Sequence, residues 1–203
     1  MPVFAFASAR SNDAPGPGVA DVGVISDAQL LALANESQKD ALDALYTAYK
    51  SRIYTFLLRF LADPELADDV TQEVFTKAFH ALPDLERGTK VLPWLYRVAS
   101  NAAIDHHRRR KRFTWLRMGQ IEATSAEPHV IDSSGQIAER EHVQAVLRTL
   151  PPENSVALLL HVLEGYSYKE IADIQGVTMT AVRSRIARAR VAFKQGYGDR
   201  KAP

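Results

Sequence analysis

From Asp40 the chain carries apolar side chains at spacings of three and four: Leu42, Leu45, Tyr46, Tyr49, Ile53, Phe56, Leu57 and Phe60. A period near 3.6 gathers them into one stripe of a long helix. Asp63-Pro64 then opens a second helix, because an aspartate can accept from exposed amide groups and proline suits the first helical position. Leu66, Val70, Val74, Phe75 and Ala78 follow on one side, and Pro83 ends the run. A loop from Asp84 to Lys90 leads to Pro93 and a third long helix, with Leu95, Val98, Ala102 and Ile104 facing inward before the chain runs into arginines. The first half reads as an all-helical bundle.

The periodicity lapses over 113–132, which reads as a flexible linker, and resumes after Ser133-Ser134-Gly135-Gln136, whose Ser-x-x-Gln spacing can start a helix. Val143, Val146, Leu147 and Leu150 line that helix until Pro151-Pro152 stops it. Another is expected from about Glu153 to Glu164, ending at Gly165, and two more follow with a tight turn between them. The expected fold class is therefore all-α: two small helical domains joined by a linker, the second ending in a helix-turn-helix. Residues 1–35, with their Gly-, Pro-, Ser- and Asp-rich SNDAPGPGVADVG, are expected to form a disordered tail. The domains are then 36–112 and 133–197.

Composition narrows the picture. The 203 residues include no cysteine, which removes disulfides and thiolate metal sites. No apolar run reaches membrane-spanning length, and the apolar start, MPVFAFASAR, has no basic leader, so neither membrane insertion nor secretion is expected and a cytoplasmic setting is. The six histidines lack the spacing of a metal site and no glycine-rich phosphate loop occurs, so no cofactor and no enzymatic activity are expected. A net charge of +1 conceals segregation: Asp63, Glu65, Asp68, Asp69 and Glu73 lie together, whereas Arg108 to Arg112 form an unbroken basic run and Arg183, Arg185, Arg188, Arg190 and Lys194 cluster later. Separate acidic and basic faces imply separate partners, the basic ones suited to phosphate backbones.

The segment from Ser167 to Lys194 has the layout of a helix-turn-helix. Ser167-x-x-Glu170 is a capping box. Ile171 and Ala172 let a second helix cross closely, Gly176 stands where the turn needs a positive φ, and Thr178 can cap the next helix. Val182, Ile186, Ala189 and Phe193 repeat on the inner side of that helix, leaving Thr180, Arg183, Ser184, Arg185 and Arg188 outside. A helix entering the major groove brings such side chains to base edges and phosphates, and the arginine fork can grip guanine or phosphate with two hydrogen bonds. The plainer reading is an arginine-rich solvated helix. Gln175, at a position usually apolar, is expected to loosen the packing before the turn.

Upstream, PWLYRVASNAAIDHHRRRKR sets Trp94, Tyr96, Asn101, Asp105 and the arginines on one helix. Trp94 and Tyr96 can stack on unpaired bases, worth roughly 1–3 kcal/mol per base; Trp94 serves equally well as core, and the basic run as a solvated face.

Taken together, the chain resembles the extracytoplasmic-function sigma factors of bacterial RNA polymerase. The resemblance rests on Leu45-Tyr46-x-x-Tyr49, on Asp63-Pro64-x-x-Ala67-x-Asp69-x-x-Gln72-Glu73-x-Phe75, on Trp94-Leu95-Tyr96-Arg97-x-Ala99-x-Asn101-x-x-x-Asp105, and on Leu150-Pro151 with the Tyr168–Arg190 motif. It covers roughly 40–112 and 136–195. It implies that the first domain is the family's domain two and the second its domain four, with core RNA polymerase and promoter DNA as partners and an anti-sigma factor as a further one. Asp68, Asp69, Gln72, Glu73 and Phe75 would dock on the polymerase. A carboxylate-rich face seeks a basic partner, although helix N-terminus stabilisation would account for Asp63 and Glu65. Lys77, Arg87, Lys90, Trp94, Arg97, Asn101, Asp105, Arg108 and Arg109 would hold the single-stranded −10 element. Thr178, Thr180, Arg183, Ser184, Arg185 and Arg188 would read the duplex −35 element. The alternative is a stand-alone helix-turn-helix regulator that binds duplex operator without polymerase.

Overall fold

A computed structural model describes residues 25–86, 88–118 and 143–198, and among these every regular element is helical. Helix α1 (Asp27–Glu36) begins at a capping box in which Ser26 and Gln29 satisfy each other's backbone donors. This corrects the expectation of a tail through residue 35. Leu30, Leu31 and Ala34 are buried, so the stretch is held by packing that its short period did not announce; residues 1–24 lie outside the described residues. Helix α2 (Gln38–Leu61) starts one residue later, capped by Ser37. Ala62, in the left-handed region at φ 52°, ends it.

Asp63 caps α3 (Pro64–Ala81) through its Oδ1, which accepts from the Leu66 amide at 3.2 Å, with Pro64 in the first turn. A single 3-10 turn, Leu82–Asp84, follows. Helix α4 (Val91–Met118) starts at Val91, with Pro93 in its first turn where a missing amide costs nothing. The Val91 amide donates to Asp27 Oδ1 at 3.4 Å, so α1 caps a helix 64 positions away. Because α4 runs to Met118, the expected linker start at 113 is also corrected: the helix continues through it. The rest of the expected linker and the Ser133–Gln136 cap lie outside the described residues.

In the second half, α5 is described over 143–149. Helix α6 (Pro152–Val162) follows Pro151-Pro152, with seven consecutive residues from Asn154 to Leu160 buried. Helices α7 (Tyr168–Gln175) and α8 (Met179–Gly198) form the helix-turn-helix.

The apolar stripes read from the sequence meet in the core. Ile53, Phe56 and Leu57 of α2, Val70 and Val74 of α3, and Leu95 and Ala99 of α4 are fully or almost fully buried. Each large side chain so buried contributes about 1.5–3 kcal/mol. Tyr46 departs from its stripe: it is exposed at the α2 surface, with its ring edge-on to Phe75 at 4.9 Å. The two halves also touch. Helices α2 and α4 pack against α6, and α4 packs against α7. Tyr96, expected as a stacking platform, is completely buried between Phe56 and Tyr166. Its aromatic ring would suit a base equally well; only the tertiary packing decides that it faces α6 and the loop after it.

Candidate functional site

The acidic face of α3 is built by spacing of four. Asp68 accepts from Gln72 Nε2 at 2.9 Å one turn on, and Glu73 accepts from Lys77 Nζ at 2.6 Å. The second oxygen of Glu73 meets His106 Nε2 of α4 at 2.9 Å. Lys77 and His106 together hold the Glu73 carboxyl below its ordinary value, against a smaller opposing effect of partial burial. Asp69 is exposed. Phe75 is buried at 4% exposure, so it backs the face from beneath and presents Tyr46 above it. Lys50 lies over the Tyr46 ring at 4.9 Å, a cation–π contact. Tyr46, with a smaller effect from the Asp68 charge, holds the Lys50 ammonium above its ordinary value.

Sequence reasoning did not place Tyr46, Lys50 or His106 at this face. Tyr46 and Lys50 lie one turn apart on α2, a spacing visible in the chain, but nothing local says that α3 presents Phe75 beneath them. His106 and His107 do diverge as expected of neighbours on one helix: His106 turns to Glu73, and His107 tilts against Phe60 at 6.1 Å.

Along α4, Trp94, Arg97, Asn101, Asp105, Arg108 and Arg112 recur at three and four, which places them on one face. Trp94 is half-buried and packs on the core, whereas Arg97, Asn101, Asp105, Arg108 and Arg109 are exposed. Lys77 belongs to the α3 face through its pairing with Glu73. Lys90 is exposed just ahead of α4, and its carbonyl accepts from the Trp94 amide at 3.2 Å. Arg87 lies outside the described residues. Arg109 lines an open cleft of about 460 Å³ with Asp63, Glu65, Asp69 and His106, at the seam between the acidic and basic surfaces. Arg110 reaches Asp63 across the same seam at 3.6 Å.

The helix-turn-helix forms by the devices its sequence carries. Ser167 and Glu170 make the capping box, and Gly176 takes φ 63°, ψ 40°, the left-handed cap of α7. Thr178 Oγ1 accepts from the Ala181 amide at 3.2 Å and caps α8. Val182, Ile186, Ala189 and Phe193 are buried, while Thr180, Arg183, Ser184 and Arg188 are exposed on the other side of α8. Arg188 Nε donates to the Ser184 carbonyl at 3.2 Å, which lays the guanidinium along the helix.

Gln175 overturns its expectation. Its Nε2 donates to the Glu153 carbonyl at 3.1 Å and its Oε1 accepts from Arg185 Nη1 at 2.7 Å. A polar residue before the turn glycine therefore ties α7 to α6 and to α8, and Arg185 becomes a half-buried strut.

No helix among the described residues is long and apolar enough to cross a membrane, and no cluster of metal-ligating side chains occurs among them.

Two family descriptions match the chain, Sigma-70 region 2 over residues 45–113 and Sigma-70, region 4 over residues 140–193. The first ends within α4 and the second spans the helix-turn-helix. The RNA polymerase sigma-H factor of Pseudomonas aeruginosa is 32% identical over 180 residues, covering 82% of this chain and 91% of that protein. The ECF RNA polymerase sigma factor SigM of Bacillus subtilis is 31% identical over 156 residues, 77% of this chain and 94% of its own. The sigma factor RpoE of Bartonella quintana, solved in complex with the anti-sigma factor NepR, shares the fold at a TM-score of 0.60 and 22% identity, over 77% of this chain and 96% of that one. With both regions in order and relatives matched over most of their lengths, the chain belongs to the extracytoplasmic-function (ECF) family of RNA polymerase sigma factors, which direct the polymerase to promoters.

Proposed function

We propose a division of that task among three surfaces of this chain. The α3 face, with Asp68, Asp69, Gln72 and Glu73 outward and Phe75 supporting Tyr46, docks on core polymerase. The α4 face from Trp94 to Arg109, with Lys90 and Arg87, captures the single-stranded −10 element. Helix α8 reads the −35 duplex through Thr178, Thr180, Arg183, Ser184 and Arg188, with Arg185 holding the helix at its angle. In this assignment α1–α4 act as domain two and α5–α8 as domain four. The protein acts in the cytoplasm, needs no cofactor and catalyses no reaction of its own. An anti-sigma factor, the class of partner that RpoE is solved with, is a further partner.

The observation that supports this reading best is the opposition on α8: a fully apolar inner row against an outer row of arginines and hydroxyls, on a helix whose start is capped at the turn. A helix built so can lie in a major groove without exposing its apolar side. The test is run-off transcription on promoter-bearing templates with core polymerase and this protein as the added factor. Asp68→Lys with Asp69→Lys should abolish polymerase capture in a pull-down while leaving helicity unchanged. Arg183→Ala with Arg188→Ala should weaken −35-dependent initiation and lower the salt slope of binding by about one for each phosphate no longer neutralised. Transcription insensitive to both pairs refutes the assignment.

A further inference from the structure

The contact between the two halves centres on one carboxylate. Glu164 follows α6, and its Oε2 accepts from the Tyr96 hydroxyl of α4 at 2.6 Å and lies 3.5 Å from Arg52 Nη2 of α2. The Tyr166 ring packs edge-on against Tyr96 at 5.6 Å. The Glu164 side chain keeps only 13% of its surface exposed. Around this centre, Arg148 Nη2 donates to the Ala62 carbonyl at 3.1 Å and Arg108 pairs with Glu153. The Arg97 guanidinium lies against the turn of the helix-turn-helix, 3.5 Å from where a Cβ on Gly176 would stand. Two cations assigned to the −10 strand, Arg97 and Arg108, are thus directed at the chain's own second half.

This arrangement does not suit simultaneous reading of both elements. Elements centred about 25 base pairs apart are separated by roughly 85 Å along the duplex, at about 3.4 Å per pair. A compact chain of 203 residues has a radius of gyration of roughly 17 Å. Domains in contact therefore cannot sit on both elements, and the contact must break before the promoter is bound.

We propose that Glu164 is a latch: by receiving Tyr96 and Arg52 it holds the two halves closed in the free protein, keeps Arg97 and Arg108 of the −10-binding face engaged with the second half, and is released when the halves separate on polymerase. The inference rests on the surface assignment given under Proposed function. The latch is suited to switching because both of its bonds go to one charged acceptor, so a single separation breaks them together. A hydrogen bond to a charged partner is strong enough to bias an equilibrium yet weak enough for polymerase docking to overcome.

The test uses the full chain, whose lack of cysteine allows clean placement of thiols. Lys39→Cys and Lys194→Cys, on exposed positions of α2 and α8, carry a fluorophore pair that reports separation of the halves. Tyr96→Phe should raise the ratio of separated to closed molecules by about tenfold or more, the effect of losing one hydrogen bond to a charged group. Arg52→Ala, Tyr96→Phe and Glu164→Ala combined should raise it further, with helicity unchanged. A distance distribution identical in wild type and in the triple variant overturns the latch, whatever the protein does with polymerase. In a second arm, Arg52→Cys with Glu164→Cys, closed by a short bismaleimide, should lose at least tenfold in promoter-dependent transcription relative to the same variant before cross-linking. Equal transcription by the linked protein overturns the inference. Failure of the surface assignment is separately visible, because transcription by the unlinked protein would then be insensitive to the Asp68/Asp69 and Arg183/Arg188 substitutions.

Discussion

Replacing Gly176 by alanine isolates the backbone term that the turn between α7 and α8 requires. Gly176 lies at φ 63°, ψ 40°, where an L-residue with a Cβ costs roughly 1–2 kcal/mol. Steric crowding adds little, since the new Cβ would stand 3.5 Å from the Arg97 guanidinium and 4 Å or more from everything else outside its immediate neighbours, an ordinary contact. Alanine also restricts the unfolded chain, which offsets about 0.4–1 kcal/mol. The net expectation is a loss of about 1 kcal/mol. Asparagine tolerates the left-handed region better than alanine, so Gly176→Asn should fall between the two. Urea unfolding of the full chain, followed by far-ultraviolet circular dichroism, measures the order, and amide exchange in α7 and α8 localises it. Alanine equal to glycine, or asparagine worse than alanine, would show that the backbone conformation is not what the turn demands. The same variants should weaken −35 duplex recognition, because the glycine sets the angle at which α8 leaves α7.

Three other perturbations separate local from tertiary contributions. Ser167→Ala removes one arm of the capping box and should cost about 1 kcal/mol in urea unfolding; Ser167→Asp should restore most of it. Ile186→Ala, at a position 1% exposed, should cost about 2–4 kcal/mol, whereas Val191→Ala on the same helix, 58% exposed, should stay within about 0.5 kcal/mol. The Glu73 carboxyl is held below its ordinary 4.5 by Lys77 and His106, so its contribution to stability is present above that value and is lost as pH falls through the lowered one. Glu73→Gln should flatten the acid limb of the stability–pH curve, by no more than about 1 kcal/mol because the pair is solvent-screened; an unchanged acid limb would refute the coupling.

The α3 face and α8 were legible in the chain because their determinants lie within one or two helical turns. Asp63-Pro64, Ser167-x-x-Glu170, Gly176 and Thr178 each act on backbone groups at most four residues away, and a period of 3.6 sorts inner from outer side chains without knowledge of any neighbour. The helical class, the helix-turn-helix and the segregated charges follow from such short-range rules. What escaped was set by partners distant in the chain. Tyr96 meets Glu164 across 68 positions, Asp27 meets the Val91 amide across 64, His106 meets Glu73 across 33, and Gln175 meets the Glu153 carbonyl across 22. A polar side chain carries no local mark of which distant group will satisfy it, and burial makes that satisfaction obligatory. Sequence alone therefore determined where most of the helices start and which faces carry charge. Only the tertiary structure decided that α1 is a folded element, that Gln175 binds rather than loosens, and that Tyr96 closes one half of the protein on the other.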